Sequence, residues 1–85
     1  MPSHANVYGT AIHTMLTIRG LLQKDLAERV GVPESTVSLW VNGKREPSAE
    51  QRSRICRVLA MQEHHFYVTP DELHETFDSF GPMFE

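Results

Sequence analysis

The chain has a single cysteine, Cys56, so no disulfide can form within it. No apolar run approaches the roughly 18 residues that a membrane-spanning helix needs, and no basic stretch followed by an apolar one stands at the start. A Cys/His quartet for zinc is missing, as are a glycine-rich phosphate loop and paired acids in an evident cleft. The histidines include His64 and His65, which are adjacent and so cannot share a helix face as an i, i+4 pair would. Basic residues stop altogether at Arg57. These absences exclude a disulfide scaffold and argue against a membrane protein. They lead us to expect a soluble, cytoplasmic protein with no cofactor, no metal and no enzymatic activity. Cys56 reads as a small core residue on the apolar side of a helix rather than as a nucleophile.

What is present is enough for one small domain. At 85 residues the chain can bury only about 60% or a little more of its unfolded surface, so its core is marginal without help from a second subunit. Apolar residues make up 40% and charged residues 22%, the balance of a globular chain. The net charge of −3 is an average of two unlike halves. Up to Arg57 there are eight bases against five acids, leaving +3; from Val58 onward there are six acids and no base, leaving −6. A cationic body can attract phosphate even where the whole chain would not. Chance segregation on an ordinary solvated surface would look the same, so charge alone does not decide.

Apolar spacing predicts short helices and little or no strand. Residues 1–6 read as a frayed start. From about Val7 to Arg19, the positions Tyr8, Ile12, Met15, Leu16 and Ile18 recur at helical spacing, and Gly20 ends the run. Gln23 to Val30 is a second helix with Leu26, Ala27 and Val30 on one face, stopped by Gly31. Pro33 opens a third helix, closed by Asn42-Gly43. Ser48 with Gln51 is a capping box for a fourth, whose buried face is Ile55, Val58 and Leu59. Residues 61–68 are a connector or a short strand. Thr69 with Glu72 caps a fifth helix, with proline at its first position, running to about Phe80 before Gly81-Pro82.

The stretch "LAERVGVPESTV" carries the function. Two helices that meet steeply through a short turn need a small residue where they cross, and Ala27 supplies it. Four residues on, the turn favours a positive φ, which Gly31 supplies. The second helix needs a β-branched plug, which Val37 supplies. This is the pattern of a helix-turn-helix, although a helical hairpin with no DNA role can share it.

The neighbours sharpen the pattern. "LLQKDLAERVGVPESTVSLWVNGKREPS", residues 21–48, resembles the Cro/repressor-type, or XRE-like, helix-turn-helix family: Gln23 opening a helix, Leu26-Ala27, Gly31-Val32, Val37-Ser38, Trp40, and Asn42-Gly43-Lys44-Arg45 before Pro47-Ser48. The resemblance spans roughly residues 7–66. It implies an all-α, compact five-helix repressor-type domain containing a helix-turn-helix, and dimeric, sequence-specific binding to duplex DNA. The chain departs from the family in three ways. An arginine and a glutamate that often form a buried ion pair are replaced by Leu16 and Val41, which need not harm the fold. The reading positions are unusual. The acidic C-terminal part has no counterpart in the shared core.

By family position, base reading falls to Glu34, Ser35, Ser38 and Leu39, at the end of the third helix that enters the major groove. Glu34 can accept from cytosine N4, serines can donate or accept, and Leu39 can meet a thymine methyl. Glu34 has an equal alternative use as a helix-capping charge. Phosphate holding falls to Gln23 and Lys24 at a helix N-terminus, and to Asn42, the Gly43 amide, Lys44 and Arg45 after the reading helix. For Lys44 and Arg45 the alternative is a solvated loop. Trp40 is expected in or near the core.

The division expected is a DNA-binding domain over residues 1–66 and an acidic amphipathic helix and tail over 67–85. Leu73, Phe77 and Phe80 form one stripe along that last helix, with Asp71, Glu75 and Asp78 opposite. The stripe can pair with a second copy, making a homodimer, or close as a lid over its own core. The acidic face can instead fold back on the basic body. The reading as a whole is a phage- or plasmid-type repressor acting on double-stranded DNA. The alternative is an antitoxin-like interaction module that also binds DNA and meets a protein partner through its acidic C-terminus.

Overall fold

The computed structural model describes residues 4–78 along the backbone, with side chains from residue 7 to residue 77. Among the described residues there are five α-helices and no strand: α1 (His4–Arg19), α2 (Gln23–Val30), α3 (Glu34–Val41), α4 (Ala49–Leu59) and α5 (Pro70–Leu73). A 3-10 helix, Glu63–Tyr67, links α4 to α5, and π-helical winding over His74–Asp78 continues α5. The chain is thus all-α, as the sequence predicts, with corrections at the edges of elements. α1 starts at His4 rather than near Val7, so part of the expected frayed start is helical. The 61–68 segment holds a 3-10 helix and no strand. Pro33 is the cap of α3 rather than its first helical residue. The fifth helix keeps α geometry for only one turn, and Phe80 lies outside the described residues.

α1 supplies one wall of the core. Tyr8, Ala11, Ile12, Met15 and Leu16 are all buried on one stripe, at the i, i+3, i+4, i+7 and i+8 spacing of a packed face. α3 packs across both α1 and α2, burying Val37 and Trp40. The indole N–H of Trp40 finds no acceptor among the described residues, so the ring serves as bulk. Contact between α1 and α3 is close because Gly9 has no side chain: a Cβ there would fall on the Trp40 carbonyl oxygen and 2.6 Å from that of Val41. Leu16 is buried and Val41 half-buried in the same core, so apolar packing stands where the family resemblance implies an ion pair. α4 adds Ile55 and Leu59, while Val58, expected with them, is only half-buried.

Helix ends follow the capping chemistry that the sequence predicts. Ser48 Oγ accepts from the Gln51 N–H at 3.1 Å, and Gln51 Oε1 accepts from the Ser48 N–H at 2.8 Å. Thr69 and Glu72 repeat the arrangement, at 3.2 Å in each direction. These caps use first-turn amides that have no partner inside their helix.

The C-terminal part closes over this core. Leu73 is fully buried, and Phe77 is half-buried with its ring edge against His65, the centroids 4.8 Å apart. The Arg19 guanidinium lies 5.0 Å from the centroid of the same Phe77 ring. Of the stripe expected to serve as dimer surface or lid, Leu73 is therefore spent within its own chain, and Phe77 partly so.

Candidate nucleic-acid interface

The turn between α2 and α3 has the geometry that Ala27, Gly31 and Val37 predict. Ala27 is buried at the crossing and its carbonyl accepts from both Gly31 N–H (2.8 Å) and Val32 N–H (3.0 Å). Gly31 sits at φ 90°, a conformation costly for any side-chain-bearing residue. Val37 is fully buried. With these three fixed and Trp40 buried on the same side as Val37, α3 leaves its other face outward. Glu34 and Ser35 are exposed in its first turn, and Ser38 and Leu39 are half-buried one turn on. Pro33 makes no side-chain cap bond at the start of α3, so the Glu34 carboxylate is the charge available to the helix dipole there.

At the start of α2, Gln23 is half-buried and Lys24 exposed. The residue before them, Leu22, cannot cap with its side chain and stands exposed at 61%. Asp25 Oδ2 instead accepts from the Leu22 N–H at 2.9 Å, half of a capping box. The amides of Gln23 and Lys24 are among those a helix leaves without an internal partner, a position that favours negative charge.

At the other end of α3 the amides turn inward. Gly43, at φ 73°, donates to the Trp40 carbonyl at 3.1 Å, and Lys44 and Arg45 donate to the Leu39 carbonyl at 2.9 and 3.3 Å. The Gly43 amide, expected to face phosphate, is thus already bonded. So is the Asn42 side chain: its Nδ2 donates to the Ser38 carbonyl at 2.9 Å and to Ser38 Oγ at 3.2 Å. The Lys44 and Arg45 side chains are exposed and form no ion pair among the described residues.

Three of the remaining arginines, Arg19, Arg52 and Arg54, show why a count of bases misleads. Arg52 donates to Glu63 Oε2 at 2.8 Å and to the Pro47 carbonyl at 3.0 Å, with its guanidinium 5.1 Å from the Tyr8 ring centroid. Burial alone would lower the Arg52 pKa, but the hydrogen bond and charge of Glu63 outweigh it and raise it. Tyr8 and Tyr67 share a 2.8 Å hydroxyl bond, and Tyr67 donates to Glu63 at 3.3 Å. The bond to Tyr8, reinforced by burial and by Glu63, pushes the Tyr67 pKa up to about 12. Arg19 donates to the Leu59 and Ala60 carbonyls at 2.8 and 3.1 Å, closing the end of α4. Arg54 pairs with Glu50 at 2.8 Å and reaches the Val30 carbonyl at 3.4 Å. Sequence reasoning missed these internal roles. It also missed Gly9, whose position inside a helical pattern was the available signal of a close approach.

Residues 12–63 match the family model described as helix-turn-helix, more than half of the chain. The chain belongs to the XRE-type helix-turn-helix family. It is accordingly a DNA-binding transcription regulator of the XRE type, a family of regulators and not of enzymes. Comparison with curated proteins and with solved structures gives no match. Among the described residues of this helix-turn-helix regulator, no cluster of His, Cys, Asp and Glu is arranged to hold a metal ion, and no helix is long and apolar enough to cross a membrane. Cys56 is half-buried, and burial pushes its thiol pKa up, away from the thiolate a nucleophile needs.

Proposed function

We propose that this regulator is a repressor of the phage or plasmid kind that binds duplex DNA as a homodimer, with α3 in the major groove of each half-site. One observation carries the reading: α3 leaves Glu34, Ser35, Ser38 and Leu39 exposed or half-exposed, and the helix-turn-helix that holds it begins with exposed Lys24 and ends with exposed Lys44 and Arg45, none in an ion pair among the described residues. Glu34, Ser35, Ser38 and Leu39 read base edges. Lys24, Lys44, Arg45 and the Gln23 end of α2 hold phosphate. This division lets a helix without a single cation face a polyanion, because affinity comes from its flanks and sequence from its face. The two half-sites lie about one helical turn, ~34 Å, apart. The buried Leu73 supports a lid role for that residue rather than a dimer role.

Selection of bound fragments from random duplex DNA, with sedimentation of the protein alone and on the selected site, tests the proposal. A palindromic site bound by two copies is the expected result. Bound fragments without a shared sequence would overturn it. The second reading, an antitoxin-like module with a protein partner on its acidic C-terminal part, has weaker support: Glu63 is committed to Arg52 and Glu72 to the α5 cap.

A further inference from the structure

We infer that Asn42 sets the hydrogen-bonding polarity of Ser38, fixing it as a donor to the base it meets, and that Asn42 is a positioning residue rather than a phosphate contact. The inference rests on the reading of α3 as the base-contacting helix. It begins from a bond whose direction chemistry decides. The Ser38 carbonyl can only accept, and the Asn42 amide group 2.9 Å from it must therefore be the NH2 end. The same nitrogen lies 3.2 Å from Ser38 Oγ. Nδ2 is thus directed at two acceptors of one residue. The Asn42 backbone N–H goes to the same Ser38 carbonyl at 3.0 Å. With its backbone N–H and its Nδ2 both turned onto Ser38, Asn42 directs its donors inward rather than at a phosphate.

Ser38 is changed in turn. One lone pair of its hydroxyl is occupied by Asn42. Its proton has no outlet inside the helix: Thr17 Oγ1 donates back to the His13 carbonyl four residues earlier, at 3.2 Å, and among the described residues no such bond runs from Ser38 Oγ to Glu34. A hydroxyl that already accepts one hydrogen bond is polarised towards donating the next. Half-buried on the outer side of α3, Ser38 therefore presents a proton. Its complement is an acceptor edge in the major groove: guanine N7 or O6, adenine N7 or thymine O4. The N4 amino group of cytosine is the edge it turns away. A serine on a reading helix is ordinarily ambivalent, and the amide one turn on removes the ambivalence.

Three variants test this by fragment selection: Ser38→Ala, Asn42→Ala and Asn42→Asp. A carboxylate at residue 42 accepts the Ser38 proton, turns the lone pairs of Oγ outward and reverses the preference. Expected are a base position with a guanine or thymine preference of roughly fivefold or more in the wild type, loss of that preference in Ser38→Ala, broadening at the same position in Asn42→Ala, and a move towards cytosine or adenine in Asn42→Asp. If Asn42→Asp binds too weakly for selection, broadening in Asn42→Ala decides. Asn42 has φ −86°, an ordinary conformation, so alanine fits the backbone. If Ser38→Ala changes one position and neither Asn42 variant does, the inference fails and the reading of α3 stands. If Ser38→Ala changes nothing, Ser38 does not read and the inference fails, while the reading of α3 then rests on Glu34, Ser35 and Leu39. A drop of about one unit in the salt slope of Asn42→Ala, with base preference intact, would return Asn42 to the phosphate set and overturn the inference.

Discussion

Arg19, Arg52 and Arg54 belong to the same basic body as Lys24, Lys44 and Arg45, yet the two sets are used in opposite ways. The first set is spent inside the fold. Arg19 closes the last carbonyls of α4, Arg52 ties α4 to the 3-10 helix through Glu63 and the Pro47 carbonyl, and Arg54 reaches the end of α2. The second set stands at the two ends of the α2–α3 unit with no ion pair among the described residues. Arg29 and Arg57, the other two bases of this body, are exposed and fall in neither set, so the +3 of the first 57 residues does not say which cations are available to phosphate. Variants of the inner set should move stability and leave DNA binding alone, while variants of the outer set should do the reverse.

The largest effect expected falls on the scaffold, at Gly9. Alanine is the better helix former by about 1 kcal/mol, but its Cβ would meet the Trp40 and Val41 carbonyls, both backbone atoms that cannot swing aside. Overpacking of this kind costs about 1–3 kcal/mol or more, and it wins. Gly9→Ala should lower the thermal midpoint markedly. Unchanged or raised stability would mean that α1 and α3 are not held so close.

The matched test on the outer set is the double change Lys44→Ala with Arg45→Ala. Removing one phosphate-binding cation should reduce the log–log salt slope of DNA binding by about one unit. For the double variant a fall of about two units with an unaltered melting temperature is expected. An unaltered slope would place both residues on an ordinary solvated loop.

Arg52→Ala should give the mirror image. It removes hydrogen bonds to Glu63 and Pro47 and the stacking on the Tyr8 ring, while Glu63 remains half-exposed and rehydrates. A loss of roughly 1–2 kcal/mol in stability is expected, with the salt slope intact. A reduced slope would show Arg52 on the DNA side and break the comparison.

The contrast also marks what the amino-acid order made legible. Ala27, Gly31 and Val37 announced the turn because each answers a steric demand local to it. Ser48 with Gln51 and Thr69 with Glu72 announced their helix starts for the same reason. The commitments of the arginines were hidden because their acceptors are the carbonyls of Pro47, Leu59, Ala60 and Val30, which any sequence contains and only folding aims. Asn42 was hidden likewise: Asn-Gly reads as a helix end, and nothing in the letters says which way an amide points. Leu73 and Phe77 were visible as a stripe, but which body the stripe covers depends on where the 3-10 helix delivers it.

The smallest effect expected lies at Ala60, and it sharpens the view of Arg19 as an internal fastening. Ala60 ends α4 at φ 55°, ψ 52°, and is the one described non-glycine residue with positive φ. An L side chain there costs about 1–2 kcal/mol, which glycine escapes. Glycine also loosens the unfolded chain, returning about 0.4–1 kcal/mol of that gain. The net expectation for Ala60→Gly is a stabilisation of about 0.5 kcal/mol, or ~2–4 °C in a domain of this size. The carbonyl that Arg19 holds belongs to the backbone, so it survives the change. In an Arg19→Ala background the same substitution should still stabilise, because relief of the left-handed strain does not depend on the guanidinium. DNA affinity and salt slope should be unmoved in both proteins. A lower midpoint for Ala60→Gly would mean that the alanine methyl group contributes more packing than its strained backbone costs, and that α4 is closed by its side chains rather than by Arg19.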